Sequence, residues 1–204
     1  VGSEMCIETG IVVRSVSFDD ELVTGISKIY NETPIRQGRR FWHYRKPWEQ
    51  VKAENSTYLE RGEFIGAYLG NELVGFLKFV MVNSVARIMQ ILSMEAHFDK
   101  RPSNALLAKA IEVSASKGAT HFVYGEYVYG AKENSPMTEF KRRNGFERLD
   151  YPRYYVPLST WGKLSLRIGL HHQLLRLVPE PAIPFFSNPE TSFTAAPFLK
   201  PEVY

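Results

Sequence analysis

Cysteine is almost absent from this sequence: Cys6 is the only one in 204 residues. An internal disulfide framework and a multi-cysteine zinc site are therefore excluded. Long apolar runs are missing too. The richest stretch, Leu73 to Ile91, is broken by Lys78, Asn83, Arg87 and Gln90, whereas a membrane helix needs roughly 18 apolar residues in a row. Charge of one sign is scarce, with 25 Lys and Arg against 22 Asp and Glu and a net charge of +3. That is mildly basic and far from a chain that coats nucleic acid, so no DNA partner is expected. No repeat of roughly 20–50 residues is found, which removes solenoids and propellers. There is no Walker loop, His-Glu-x-x-His, Cys-x-x-Cys pair or Gly-x-Ser-x-Gly elbow. A hydrolase, kinase or zinc enzyme has no local support, and no metal is expected. Residues 1–10 include Glu4 and Glu8 and have no apolar core. They read as a non-native or disordered lead-in rather than a signal peptide, and the cytoplasm is the simplest compartment.

What is present suits one domain with an appendage. Hydrophobic residues make up 44% and aromatics 13%, enough for a core that needs no disulfide. The aromatic excess favours strand-rich packing and an aromatic-lined cleft. Ile11 to Ser17 alternates and is β-branched, hence a strand. Phe18-Asp19-Asp20 caps a helix over Glu21–Tyr30. Pro34 to Trp48 breaks the periodicity, and Pro47 opens a second helix toward Leu59. Strands follow over Glu63–Leu69 and Glu72–Val82, joined by Gly70-Asn71, and over Ala86–Met94. A helix over Ser103–Lys117 takes Ser103 or Asn104 as its cap and Gly118 as its stop. His121–Tyr129 alternates as a strand, Met137–Arg143 is a short helix, and Phe146–Leu158 holds two strand-like pieces. Hairpins mixed with two βα crossovers predict an α+β domain of three-layer αβα type. Its central sheet is mixed and mostly antiparallel. The domain spans 11–158. Residues 159–204 form an appendage: an amphipathic helix over Thr160–Leu177 and a proline-rich tail.

This order, and the residues of its second half, resemble the GNAT superfamily of acyl-CoA-dependent N-acyltransferases. Asn134, Gly145 and Phe146 keep the spacing of a family motif, with Met137 at its small-residue position and Lys141 at its tyrosine position. Leu92 to Leu107 is similar to the family's cofactor strand, phosphate loop and helix. Where the family loop usually reads Gln/Arg-x-x-Gly-x-Gly, this chain has Phe98, Arg101 and Ser103. The resemblance implies acetyl-CoA or another acyl-CoA as co-substrate. It places the pantetheine arm on the backbone of Leu92, Ser93 and Met94. It places the phosphates near Lys100, Arg101, Ser103, Asn104 and Asn134. A pyrophosphate needs amide N–H groups and the positive end of a helix. Lys100 and Arg101 add charge, Pro102 suits a first helical turn, and Ser103 and Asn104 offer side-chain donors.

N-acyl transfer needs a base for the amine, donors for an oxyanion and an acid for the thiolate. Glu126 and Glu95 are the candidate bases, the first within an aromatic segment that can desolvate it. The plainer readings are a wet-face strand residue for Glu126 and a solvated loop for Glu95 and His97. Lys141 is the candidate acid or a phosphate partner; otherwise it is a solvent-facing member of the run Lys141-Arg142-Arg143. Tyr127 and Tyr129 are alternative acids or ordinary strand tyrosines. Between Arg36 and Trp48, five basic residues alternate with rings, and Arg36, Arg39, Arg40, Trp42 and Tyr44 are the candidate acceptor-binding residues. They suit the amine of a sugar, nucleotide or cell-envelope precursor. An aminoacyl-tRNA-dependent transferase of related fold and a non-catalytic binding module are the alternatives. The amphipathic tail helix is expected to pack its apolar stripe on its own domain or on a second subunit, as in a homodimer; peripheral contact with an anionic membrane surface is the alternative.

Overall fold

Alternating β-branched residues make Ile11–Val16 the first strand, β1. Helix α1, Asp20–Asn31, follows; the Asp19 carboxylate caps it by accepting the Leu22 N–H at 2.8 Å. Its stripe of Leu22, Val23, Ile26, Ile29 and Tyr30 is buried. The computed structural model describes residues 10–36, 38–127, 135–150, 152 and 154–169.

A small hairpin that periodicity does not reveal comes next, β2 (Ile35–Arg36) paired antiparallel with β3 (Arg39–Arg40). Helix α2 (Trp48–Asn55) starts after Pro47 as expected but ends short of Leu59. Tyr58, at φ 58°, breaks the helical geometry, and Leu59–Arg61 is a lone 3-10 turn. Strands β4 (Gly62–Leu69) and β5 (Glu72–Val82) form the expected hairpin, with Gly70 at φ 59°. Then come β6 (Val85–Ser93), helix α3 (Pro102–Ser116), β7 (His121–Val123), helix α4 (Pro136–Arg143) and helix α5 (Thr160–Arg167).

The main sheet runs β1-β4-β5-β6-β7. Every pair is antiparallel except β6 with β7. Phe76 and Lys78 of β5 face α1 and α2: the Phe76 ring is 6.2 Å from Tyr30, and Lys78 bonds the Asn55 carbonyl. Gly75 faces α3, so closely that a Cβ there would stand 3.1 Å from Leu106. Helices thus cover both faces of a mixed, mostly antiparallel sheet, the α+β architecture that the sequence predicts.

Three local expectations are corrected. The strand expected over His121–Tyr129 stops at Val123, because Gly125, at φ 47°, turns the chain out of extended geometry. Helix α3 has no side-chain cap from Ser103 or Asn104; Arg101 precedes it in left-handed geometry and Pro102 opens its first turn. No strand forms among the described residues of 146–158, where Pro152 and Pro157 remove two ladder donors. The amphipathic helix is described over Thr160–Arg167, and residues beyond 169 lie outside the described set. By contacts the chain divides into two compact units, Val1–Arg148 and Leu149–Tyr204. The sheet and α1 to α4 belong to the first and α5 to the second.

Lys78 sits mid-strand in the core, 3% exposed. Its ammonium donates to the Asn55 and Thr57 carbonyls at 2.7 and 2.6 Å and to Thr57 Oγ1 at 3.2 Å. It thereby satisfies carbonyls at the C-terminal end of α2. Burial pushes its pKa from 10.5 down to about 8, against the pull of Glu60. Between those values the unfolded chain binds the proton more tightly, so this site adds stability as pH rises from 8 toward 10.5. Lys78→Met should cost about 1–3 kcal/mol at neutral pH, for carbonyls left unpaired. Urea unfolding across this pH window should show the wild type's lead over the variant widening.

Candidate active site

Strand β6 outruns its parallel neighbour. Pairing with β7 covers Val85 to Arg87, and a bulge at Met89 follows, where Phe79↔Ile88 gives way to Lys78↔Gln90. Beyond the bulge the outer edge of β6 has no strand partner among the described residues. The Met94 N–H donates to the Val74 carbonyl at 2.8 Å. Met94 and, by alternation, Leu92 therefore turn their backbone groups inward to β5. Ile91 and Ser93 turn theirs to the open edge. Of the three residues expected to meet the arm, the register turns only the backbone of Ser93 to the open edge, together with that of Ile91.

A cleft of about 430 Å³ runs along this edge. Ile91, Leu92 and Ser93 line it from β6, and Glu95, Phe98 and Ser103 from the turn and helix that follow. Tyr124 lines it from beyond β7, Pro136, Met137 and Phe140 from α4, and Arg36 and Phe41 from the hairpin region. The Tyr124 hydroxyl donates to Met137 Sδ at 3.5 Å.

One mouth of the cleft is held by an ion pair. Arg36 Nη2 bonds Glu32 Oε2 at 2.8 Å and the Ile29 carbonyl at 3.2 Å, while Nη1 bonds the Ser93 carbonyl at 2.8 Å. Glu32 in turn accepts the N–H groups of Glu95 and Ala96 at 2.8 and 2.9 Å. The two side chains are 10% and 18% exposed. Burial lowers the Arg36 pKa while Glu32 and Glu95 raise it, and a guanidinium remains charged at neutral pH. Arg36, expected to grip an acceptor, thus gives its terminal nitrogens to the protein; its buried Nε is without a hydrogen-bond partner. Sequence reasoning missed Glu32. Its one signal is the four-residue spacing to Arg36.

The other candidates scatter. Glu95 is half-buried and lines the cleft. Glu126 is exposed and outside the lining, and its backbone carbonyl accepts from the Lys141 ammonium. Lys141 is fully buried, not solvent-facing, and stands 4.5 Å from the centre of the Tyr124 ring. Burial lowers its pKa, and Glu126 raises it. His97 and Tyr127 are half-buried and outside the lining. Arg39 and Arg40 are exposed on β3; Trp42 is 66% exposed, and Tyr44 is half-buried. Much of the basic-aromatic segment pairs with its own domain. Lys46 bonds Glu54 at 2.7 Å, and His43 stacks on Tyr30 at 4.4 Å. Burial, then Lys46, pushes His43 down to about 4, so it is neutral. Tyr129 and Asn134 lie outside the described residues.

The phosphate turn keeps its shape better than its donors. Arg101 adopts φ 52°, ψ 46°, the left-handed geometry suited to the glycine of the family loop. Its N–H, however, bonds the Phe98 carbonyl, and those of Asn104 and Ala105 bond the Arg101 carbonyl. Proline has no N–H, so Ser103 offers the amide that remains. Ser103 Oγ lies 2.9 Å from Ser93 Oγ, and Lys100 faces Asp99 at 3.7 Å. The open edge of β6 presents outward backbone groups along the cleft, and the turn presents the Ser103 N–H and the exposed Arg101 side chain.

The fold is that of the GNAT acetyltransferases. No family model and no curated protein matches the sequence, but solved structures match the fold. The aminoglycoside N-acetyltransferase AAC(6')-Iy in complex with CoA superimposes with TM-score 0.54 at 14% identity, over 73% of this chain and 95% of that one. A ribosomal-protein-alanine N-acetyltransferase from Brucella melitensis biovar Abortus matches at 0.50 and 13% identity, over 72% and 98%. The PaiA N-acetyltransferase from Thermoplasma acidophilum in complex with coenzyme A matches at 0.51 and 20%, over 70% and 92%. The likeness is one of fold, the fold that the sequence resemblance implies.

Proposed function

We propose that the protein is an N-acyltransferase that moves the acyl group of acetyl-CoA, or another acyl-CoA, to the amine of a sugar, nucleotide or envelope precursor. The edge of β6 along the cleft, which has no strand partner among the described residues, carries this reading. The outward backbone groups of Ile91 and the outward N–H of Ser93 bond the pantetheine arm, the Ser93 carbonyl being held by Arg36, and Ser103 with Arg101 meets the phosphates. The bound co-substrate supplies the thioester. Glu95 takes the proton as the amine nitrogen bonds the acyl carbon. An outward N–H on the β6 edge stabilises the developing oxyanion. When the carbon–sulfur bond breaks, the Tyr124 hydroxyl protonates the thiolate, the role that the resemblance gives to Lys141. An aminoglycoside N-acetyltransferase shares the fold, which supports an amino-sugar acceptor, with exposed Arg39, Arg40 and Trp42 suited to an anionic substituent.

The committed amides of Arg101, Asn104 and Ala105 favour a second reading, a binding module that kept the fold without the cofactor. Thermal-shift titration separates the two. Acyl-CoA at 100 times its Kd should add about 2.7 kcal/mol of apparent stability. No shift with any thioester sinks the enzyme reading. RNA binding that weakens steeply with salt would instead identify the tRNA-dependent alternative.

A further inference from the structure

We propose that helix α5 docks on an anionic lipid bilayer. Trp161, Leu164 and Ile168 recur at helical spacing and share one face. They are 77%, 46% and 61% exposed. The half-buried positions of the helix are Gly162, Ser165 and Leu166. The apolar stripe of Trp161, Leu164 and Ile168 is thus an exposed face of the helix. Tyr154, Val156 and Leu158, just before it, are also exposed. Lys163 and Arg167 occupy the flank away from that stripe.

Charge selects the occupant. From Tyr151 through Pro179 the sequence has Arg153, Lys163, Arg167 and Arg176 and no acidic residue, although the chain averages about one in nine. A second copy of the same helix would oppose Lys163 and Arg167 with like charges. An RNA would engage those cations but leave Trp161, Leu164 and Ile168 in water. An anionic bilayer takes both sets: the stripe enters the headgroup boundary, where tryptophan is at home, and the cations stay at the charged surface. The contact is peripheral, since no helix among the described residues is long and apolar enough to cross a membrane. The proposal does not depend on the acyltransferase reading.

Co-sedimentation of the full chain with vesicles tests it. One set is phosphatidylcholine alone; the other adds phosphatidylglycerol. The protein should pellet with the anionic set only, and salt should release it. Lys163→Gln with Arg167→Gln should weaken binding by about fivefold per charge. Trp161→Ala should weaken it by about tenfold or more, because an indole leaves the boundary. Circular dichroism of both variants should match the wild type, since these side chains are exposed. Equal binding to both vesicle sets, no binding to either, or unchanged binding by both variants would overturn the proposal. So would a shift of Trp161→Ala to a smaller species in gel filtration without loss of vesicle binding, which would assign the face to a second copy.

Discussion

Glu95→Gln should lower turnover with acyl-CoA by about 10²–10⁴-fold while leaving the melting temperature close to that of the wild type. The substitution removes a proton acceptor and little else. Glu95 lines the cleft beside the open edge of β6. Its backbone N–H, which Glu32 accepts, is untouched by the change. Glu126→Gln is the matched control: that side chain is exposed and outside the cleft lining, so turnover should hold. If Glu95→Gln keeps full turnover and Glu126→Gln does not, the base assignment reverses while the acyltransferase reading survives. If both keep full turnover, neither carboxylate is the base.

Glu32→Ala should be the most destabilising change at the site, by about 3–5 kcal/mol in urea unfolding, the cost of leaving a buried charge without its partner. An exposed ion pair is worth about 0–1 kcal/mol, so the size of the loss decides which kind this is. Three consequences of the geometry argue for the larger figure. Arg36, 10% exposed, would keep its charge and lose its bonded carboxylate, leaving Glu95 as the remaining negative charge that acts on it. The N–H groups of Glu95 and Ala96 would lose their acceptor. The Ser93 carbonyl would be held by a guanidinium no longer fixed from behind. Glu32→Gln, which retains an acceptor oxygen, should recover part of the stability. A loss below about 1 kcal/mol for Glu32→Ala would show that the clamp is surface-like. In the acyltransferase reading, Glu32 is a positioning residue: its removal should raise the KM for acyl-CoA along with lowering kcat, because Ser93 and Glu95 both move.

How much could be read in advance divides by the range of the forces involved. The Asp19 cap, the Gly70-Asn71 hairpin and the stop at Gly118 act within a few residues, and each appears where the sequence predicts it. The strand after Thr120 was overextended because alternation continues through Tyr129, whereas Gly125 turns the backbone. Lys141 looked like part of a solvated charge run because a sequence shows its neighbours Arg142 and Arg143. Its burial comes from Tyr124 and the Glu126 carbonyl, which the fold brings to it. Glu32 was invisible for the same reason: the amides it holds lie more than 60 residues further along the chain.

One cysteine and no membrane-length apolar run already excluded an internal disulfide framework and an apolar membrane-spanning helix. Element order and local turn chemistry then determined an α+β domain with a mixed, mostly antiparallel sheet, since hairpin, cap and period signals are short-range; the resemblance to the GNAT superfamily came from the motif residues Asn134, Gly145 and Phe146. Only the tertiary structure decided which backbone groups face the cleft. That choice depends on the Met89 bulge, the Met94–Val74 pairing and the early end of β7. A shift of one residue in register exchanges Leu92 for Ile91 and turns a strand's amides from its neighbour to a ligand.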